Sequence, residues 1–177
     1  SVNYTGNNSS ITKDYGSTGI YNIALSGDLN DITFLRVLSS SNIYSDISNY
    51  IVPTSCSTFV LAGTLFTGNI SNTIFSANLS SLSIFDSSVS GFIPQCLFTK
   101  GTFRNSKYEG TRITEFKTSM TSFDISNQNV LFPTAEVDKF FKNAADWYQV
   151  NAPTANCTYN LSGAKMGIPT DGVSNVD

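Results

Sequence analysis

Apolar residues paired at a separation of five recur down this sequence, and a short polar turn follows most of the pairs. The pairs are Ile20 and Leu25, Leu38 and Ile43, Val60 and Leu65, Ile84 and Val89, and Phe103 and Tyr108; Ile125 with Val130 and Leu161 with Met166 continue the series. The turns read "SGDL" at 26 to 29, "YSDI" at 44 to 47, "TGNI" at 67 to 70, "SGFI" at 90 to 93 and "EGTRI" at 109 to 113. Anchored on Gly27, Ser45, Gly68, Gly91 and Gly110, they advance by 18, 23, 23 and 19 residues. Self-similarity at such a period marks a chain that stacks turn upon turn.

The spacing has a physical reading. Each turn contributes a short strand whose inward side chain packs on its equivalent in the next turn, and a bend five residues later returns a second apolar residue to the same core. Glycine beside the bend tolerates positive φ and close backbone approach. Between Ile125 and Leu161 the step lengthens to 36 residues, and "TAEVDKFFKNAADWYQV" fills the difference. Thr134 is placed to cap a helix there, with Glu136 and Asp138 at its positive end. Val137, Phe140, Phe141, Ala144, Trp147 and Tyr148 then fall on one face, which is expected to cover the core. The resulting division is an N-terminal arm or cap over 1–16 and a single solenoid domain over 17–177. Within the latter, repeat turns occupy 17–133, the helix about 134–149 and a closing turn 150–177.

Charge narrows the functions open to such a stack. Of 177 residues only 13% are charged, so Ser, Thr and Asn must make up much of the polar surface, as on proteins outside cells. The net charge is −3 with no basic run, which argues against nucleic acid as a partner, and no apolar stretch approaches the length of a membrane span. Histidine is absent, removing Ser-His and Cys-His activation and the commonest zinc ligand together. Cys56, Cys96 and Cys157 are an odd number at wide spacing and read as buried fillers. The acidic residues are scattered. Asp86, Asn105 and Asn127 align one rung apart as an oxygen column, for which a solvated polar column is a simpler account than Ca²⁺; Asp28, Asp46 and Asn69 form another, read as turn-stabilising Asx hydrogen bonds. No catalytic residue, metal or cofactor is expected.

One surface feature points outward. If the first residue of each pair faces the core, its neighbours face solvent, which places Val37, Phe59, Leu61 and Phe85 on three consecutive rungs and Arg104 on the next. Such an apolar patch beside polar residues is expected as a protein interface. The competing reading is that the N-terminal segment covers the patch, or that a shifted register turns these residues inward.

The segments "LSGDLNDITFLRVL", "LFTGNISNTIF" and "LSSLSIFDSSVSGFIP" resemble leucine-rich-repeat-like units of the pattern L-x-x-L-x-L-x-x-N-x-L-x-G-x-I. The block "EVDKFFKNAADWYQVNAPTANCTYNLSGAKMGIPTDGVSNVD" is similar to a closing unit found in repeat domains of tailed-phage virion proteins. Val137 and Asp138, then Asn160 to Gly163, Pro169 and Thr170, and Ser174, Asn175 and Asp177 carry that similarity. The family's ladder asparagine is replaced here by Ser41, Gly63, Ser87, Ser106, Gln128 and Ala164, so other groups must satisfy the buried backbone. Members of the family usually continue past the final turn with another strand, so the resemblance implies either a part of a longer polypeptide or an incompletely ordered one.

The resemblance implies a mainly β fold with short helices: a right-handed, leucine-rich-repeat-like solenoid with one sheet face, a loop face and one inserted amphipathic helix. It also implies a non-enzymatic virion protein, acting as a fibre, decoration or attachment module. Its partners would be other virion proteins, copies of itself, or a glycan or protein of the host surface, without membrane insertion. A secreted or surface-anchored bacterial adhesin or carbohydrate-binding repeat domain is the alternative.

Overall fold

The computed structural model describes residues 29–38, 43–151 and 157–162. They form a mainly β structure with one helix, a parallel β-solenoid of about four turns. Five short strands open successive turns: β1 (Phe34–Leu38), β3 (Thr58–Ala62), β5 (Ser81–Phe85), β7 (Lys100–Thr102) and β9 (Ser122–Asp124). Together with β10 (Thr158–Asn160) they build one parallel sheet in the order β1-β3-β5-β7-β9-β10. The return path is not merely loop. There β2 (Ser45–Asp46) pairs with β4 (Phe66–Thr67), and β6 (Ser90–Ile93) with β8 (Lys107–Thr111), both in parallel. A helix, α1 (Thr134–Asn151), occupies the long excursion between β9 and β10.

Each long-sheet strand alternates, and two inward columns result. Leu35, Phe59, Leu82, Gly101, Phe123 and Tyr159 are successive partners in the first. Val37, Leu61 and Ile84 lead the second, with Phe103 and Ile125 at the same position two residues further along the later strands. Phe66, Val89 and Tyr108 close the core from the return side, all essentially without solvent exposure. The five-residue spacing holds for Ile84 with Val89 and Phe103 with Tyr108; in the third turn it runs from Leu61 to Phe66, one residue later than Val60 to Leu65, and after Ile125 the core residue is Phe132 and not the half-buried Val130. In the second turn both expected residues, Leu38 and Ile43, are exposed at 47% and 38%, and Val37 packs on the core in place of Leu38.

A tight turn precedes each of four strands: Ile32, Cys56, Leu79 and Met120 donate their backbone N–H to the carbonyls of Leu29, Pro53, Ser76 and Lys117. Cys56, Leu79, Phe98 and Met120 are buried at this corner. The residue that follows is always Ser or Thr, and its hydroxyl bonds back down the stack. Ser57 Oγ donates to the Thr33 carbonyl at 3.0 Å, Ser80 Oγ to Ser57 at 3.0 Å, Thr99 Oγ1 to Ser80, and Thr121 Oγ1 to Thr99 at 3.3 Å.

The helix runs two residues past the expected end. Thr134 is its first residue rather than its cap, because the Pro133 carbonyl receives the N–H groups of Glu136 and Val137. Val137, Phe140 and Ala144 are buried, and Phe141, Trp147 and Tyr148 pack on the core half-buried. Phe140 stacks on Phe123 with ring centroids 5.2 Å apart, so the helix closes the aromatic end of the interior. Outside the described residues lie the arm over 1–16, the pair Ile20 and Leu25, the turn at Gly27 and Asp28, Ser41, and the closing-unit residues from Gly163 onward.

Candidate interaction surface

The expected outward patch is corrected by this register. Phe59 and Leu61 are 1% exposed and Val37 packs half-buried against the core, because the alternation of β1 and β3 turns these residues inward. In "TFVLA" all of Phe59, Val60 and Leu61 are apolar, and burial selects the pair that matches Leu82 and Ile84 of β5. Phe85 and Arg104 stay on the solvent side. The Arg104 guanidinium lies over the Phe85 ring, 5.1 Å from its centroid.

The outward positions of the long sheet therefore define the surface. In one row stand Phe34, Thr58, Ser81, Lys100, Ser122 and Thr158; in the next, Arg36, Val60, Ser83, Thr102, Asp124 and Asn160. Leu38, Ala62 and Phe85 continue a third row toward Arg104. Most of its side chains are short, and neighbouring rungs repeat at about 4.8 Å. Hydroxyl groups dominate its middle strands.

Around this face the remaining polar chemistry is engaged in holding turns together. Asp86, Asn105 and Asn127 take φ near +50°, the left-handed conformation that Asn and Asp tolerate best, and form the corner after each strand. The Asn105 amide donates to Asp86 Oδ1, so this column bonds to itself. Beside it, Ser87, Ser106 and Gln128 are buried and hydrogen-bonded. Ser87 and Ser106 share a hydroxyl hydrogen bond of 2.9 Å, and Gln128 Nε2 donates to the Phe103 carbonyl at 2.7 Å while its Oε1 accepts from Tyr108 N. Tyr108 donates its own hydroxyl to the Ile84 carbonyl at 3.0 Å, and burial pushes its phenol far above the ordinary range.

The return-side turns are Asx turns. Asp46 Oδ1 accepts from Ser48 N at 2.9 Å and Ser48 Oγ at 2.6 Å, and these bonds hold its carboxyl below the usual carboxylate value. Asn69 Oδ1 accepts from Ser71 N at 2.9 Å in the same way one rung on. Each such side chain lies over the glycine of the following rung. A Cβ on Gly68 would collide with Asp46 Oδ1, and one on Gly91 with Asn69 Oδ1; both glycines also have positive φ, +105° and +88°. At Gly110 the obstacle is the Phe92 ring, itself capped by the Arg112 guanidinium at 3.5 Å, which in turn pairs with Glu136 of the helix at 3.1 Å.

The three cysteines are free thiols; Cys56 and Cys96 are buried, and burial raises the Cys96 thiol. Among the described residues no group of Cys, Asp or Glu is arranged to hold a metal ion. The Ser/Thr column before the strands escaped the reading of the sequence, although its signal is present: a hydroxyl residue after a buried apolar one, at steps of 24, 23, 19 and 22 residues. Comparison with known proteins finds no matching family model, no matching curated protein and no matching solved structure.

Proposed function

We propose that the chain is a non-enzymatic structural and attachment module of a tailed-phage particle, in the role of a fibre, decoration or attachment element. Its turns are leucine-rich-repeat-like and right-handed, the hand that twisted parallel strands impose on their connections. The observation that carries this reading is the division of polar labour. Hydroxyl and Gln side chains are bonded along the stack and Asx side chains within its turns, leaving the outward side of a six-stranded sheet whose polar supports lie around it. A preorganised face loses little conformational freedom on contact, which suits a module working through an extended surface. Phe85 and Arg104 are the contact residues retained from the sequence, and its partners are other virion proteins, copies of the chain or a host-surface molecule.

Mass spectrometry of particles purified from lysates of cells carrying the gene tests this directly. The chain is expected at a stoichiometry comparable with known structural components. Its absence from particles, with recovery at the cell surface, overturns the virion role in favour of an adhesin.

A further inference from the structure

The long-sheet face differs in charge from the rest of the molecule. The chain carries 10 Lys and Arg against 13 Asp and Glu. Yet the outward rows hold Arg36, Lys100 and Arg104 against a single acid, Asp124. That acid is occupied, since its Oδ1 accepts from Ser126 N at 3.0 Å and Ser126 Oγ at 2.6 Å. The ion pairs found among the described residues, Arg112 with Glu136 and Lys142 with Asp146, involve none of the three cations. All three are solvent-exposed.

From this we infer that the face binds a linear acidic glycan, a polysaccharide bearing carboxylates. The inference rests on the reading of this face as the binding surface. Lys100 and Arg104 project from one strand line about 13 Å apart, and Arg36 lies three strands away, about 14 Å across the sheet. Between them lie Thr58, Ser81, Ser83 and Thr102, whose hydroxyls both donate and accept and so match sugar hydroxyls. Phe85 fixes the Arg104 guanidinium above its ring, leaving a planar fork to grip a carboxylate in two places. A strip with short side chains between these cations admits an extended polymer along its rungs. An acidic protein or a second copy of the chain would answer the charge but not the hydroxyl field.

The test is titration calorimetry of the full chain with polygalacturonate, set beside the same polymer fully methyl-esterified and beside inorganic polyphosphate. Binding to polygalacturonate is expected, with loss on esterification and little binding to polyphosphate. Lys100→Gln and Arg104→Gln should each weaken it at least about ten-fold, Arg104→Lys less, and Lys142→Gln on the helix not at all; all three positions are exposed, and circular dichroism verifies the fold. No binding, equal binding to the ester or to polyphosphate, or indifference to Lys100→Gln overturns the inference. Concentration-dependent self-association in sedimentation that Lys100→Gln abolishes, without polygalacturonate binding, would instead make the face a contact between copies. Failure here with the chain still found in particles leaves the virion role standing, so the two proposals fail separately.

Discussion

The turn from β5 to β7 and the one from β9 to β10 solve opposite problems with the same residue type. The first advances by only 19 residues and the second by 36. In the short turn, Gly101 stands in the inward column where its neighbours carry Leu82 and Phe123, and the Phe98 ring from the corner fills the place a side chain would take. In the long turn the extra chain folds as α1 and delivers Phe140. Phe123 belongs to both solutions: Phe98 stacks on it at 5.9 Å and Phe140 at 5.2 Å. Turn length is therefore free to vary so long as the strand register and the filling of the interior are kept. A loop that grows or shrinks away from the sheet changes neither.

The comparison can be broken most forcefully at the helix. Phe140→Ala should destabilise the fold by about 3–5 kcal/mol, measured by urea denaturation, because a fully buried ring between Phe116, Phe123 and Tyr159 leaves a cavity. A cost under 1 kcal/mol would mean that the helix does not complete the core.

Next comes Gly101→Leu, expected to cost about 1–3 kcal/mol by overpacking against Phe98. In a Phe98→Ala background the same change should cost much less or become stabilising, since the new side chain enters the vacated space. Additive effects in this double-mutant cycle would show that Phe98 and Gly101 are not exchanging volume.

Arg112→Ala is a milder test of how the long turn is tied down. Arg112 stacks on Phe92 and pairs with Glu136 in the first turn of α1, yet its side chain is 44% exposed, so a loss of about 0.5–1 kcal/mol is expected in thermal melts.

The smallest effect belongs to Asp46, far from both turns. Its carboxyl titrates below the unfolded value because the Ser48 hydroxyl and N–H bond to the charged form. The associated stability is present at neutral pH and is lost as pH falls below the ordinary carboxylate range through the folded value. Asp46→Asn, which copies Asn69 of the next rung, should flatten this acid-side component while leaving the neutral-pH stability nearly unchanged. A large loss at neutral pH would mean that the charge itself, and not the turn geometry, is what the position requires.

Where alternation is clean, the residues announce their own orientation. In "SLSIF" Ser83 separates Leu82 from Ile84, and in "SFDI" polar residues flank Phe123; Leu82, Ile84, Phe123 and Ile125 are buried as the spacing requires, and Phe85 keeps to the solvent side. The helical stripe of Val137, Phe140 and Ala144 is equally legible, since 18 residues give it enough turns to define a face. The glycine-centred bends and the Asx turns at Asp46 and Asn69 also follow from local sequence, because their hydrogen bonds span two residues.

"FLRVL" and "TFVLA" behave differently. Adjacent apolar residues fit either face, so the pattern alone could not choose between Val60 and the pair Phe59 and Leu61, and the surface drawn from that choice was mostly interior. The candidate site suffered more than the fold for this reason: a one-residue slip leaves a solenoid a solenoid but exchanges inside for outside.

What the sequence determined by itself is the periodic part: stacked turns, a five-residue step from strand to bend, and a helix in the long excursion. These depend on spacing within one turn. Register, the buried hydrogen bonds of Ser87, Ser106 and Gln128, the filling of Gly101 by Phe98, and the meeting of Arg104 with Phe85 were decided only in the tertiary structure. Most join residues roughly one turn apart, and even Phe98 and Gly101, three residues apart, meet as they do only through the burial of the whole stack at once.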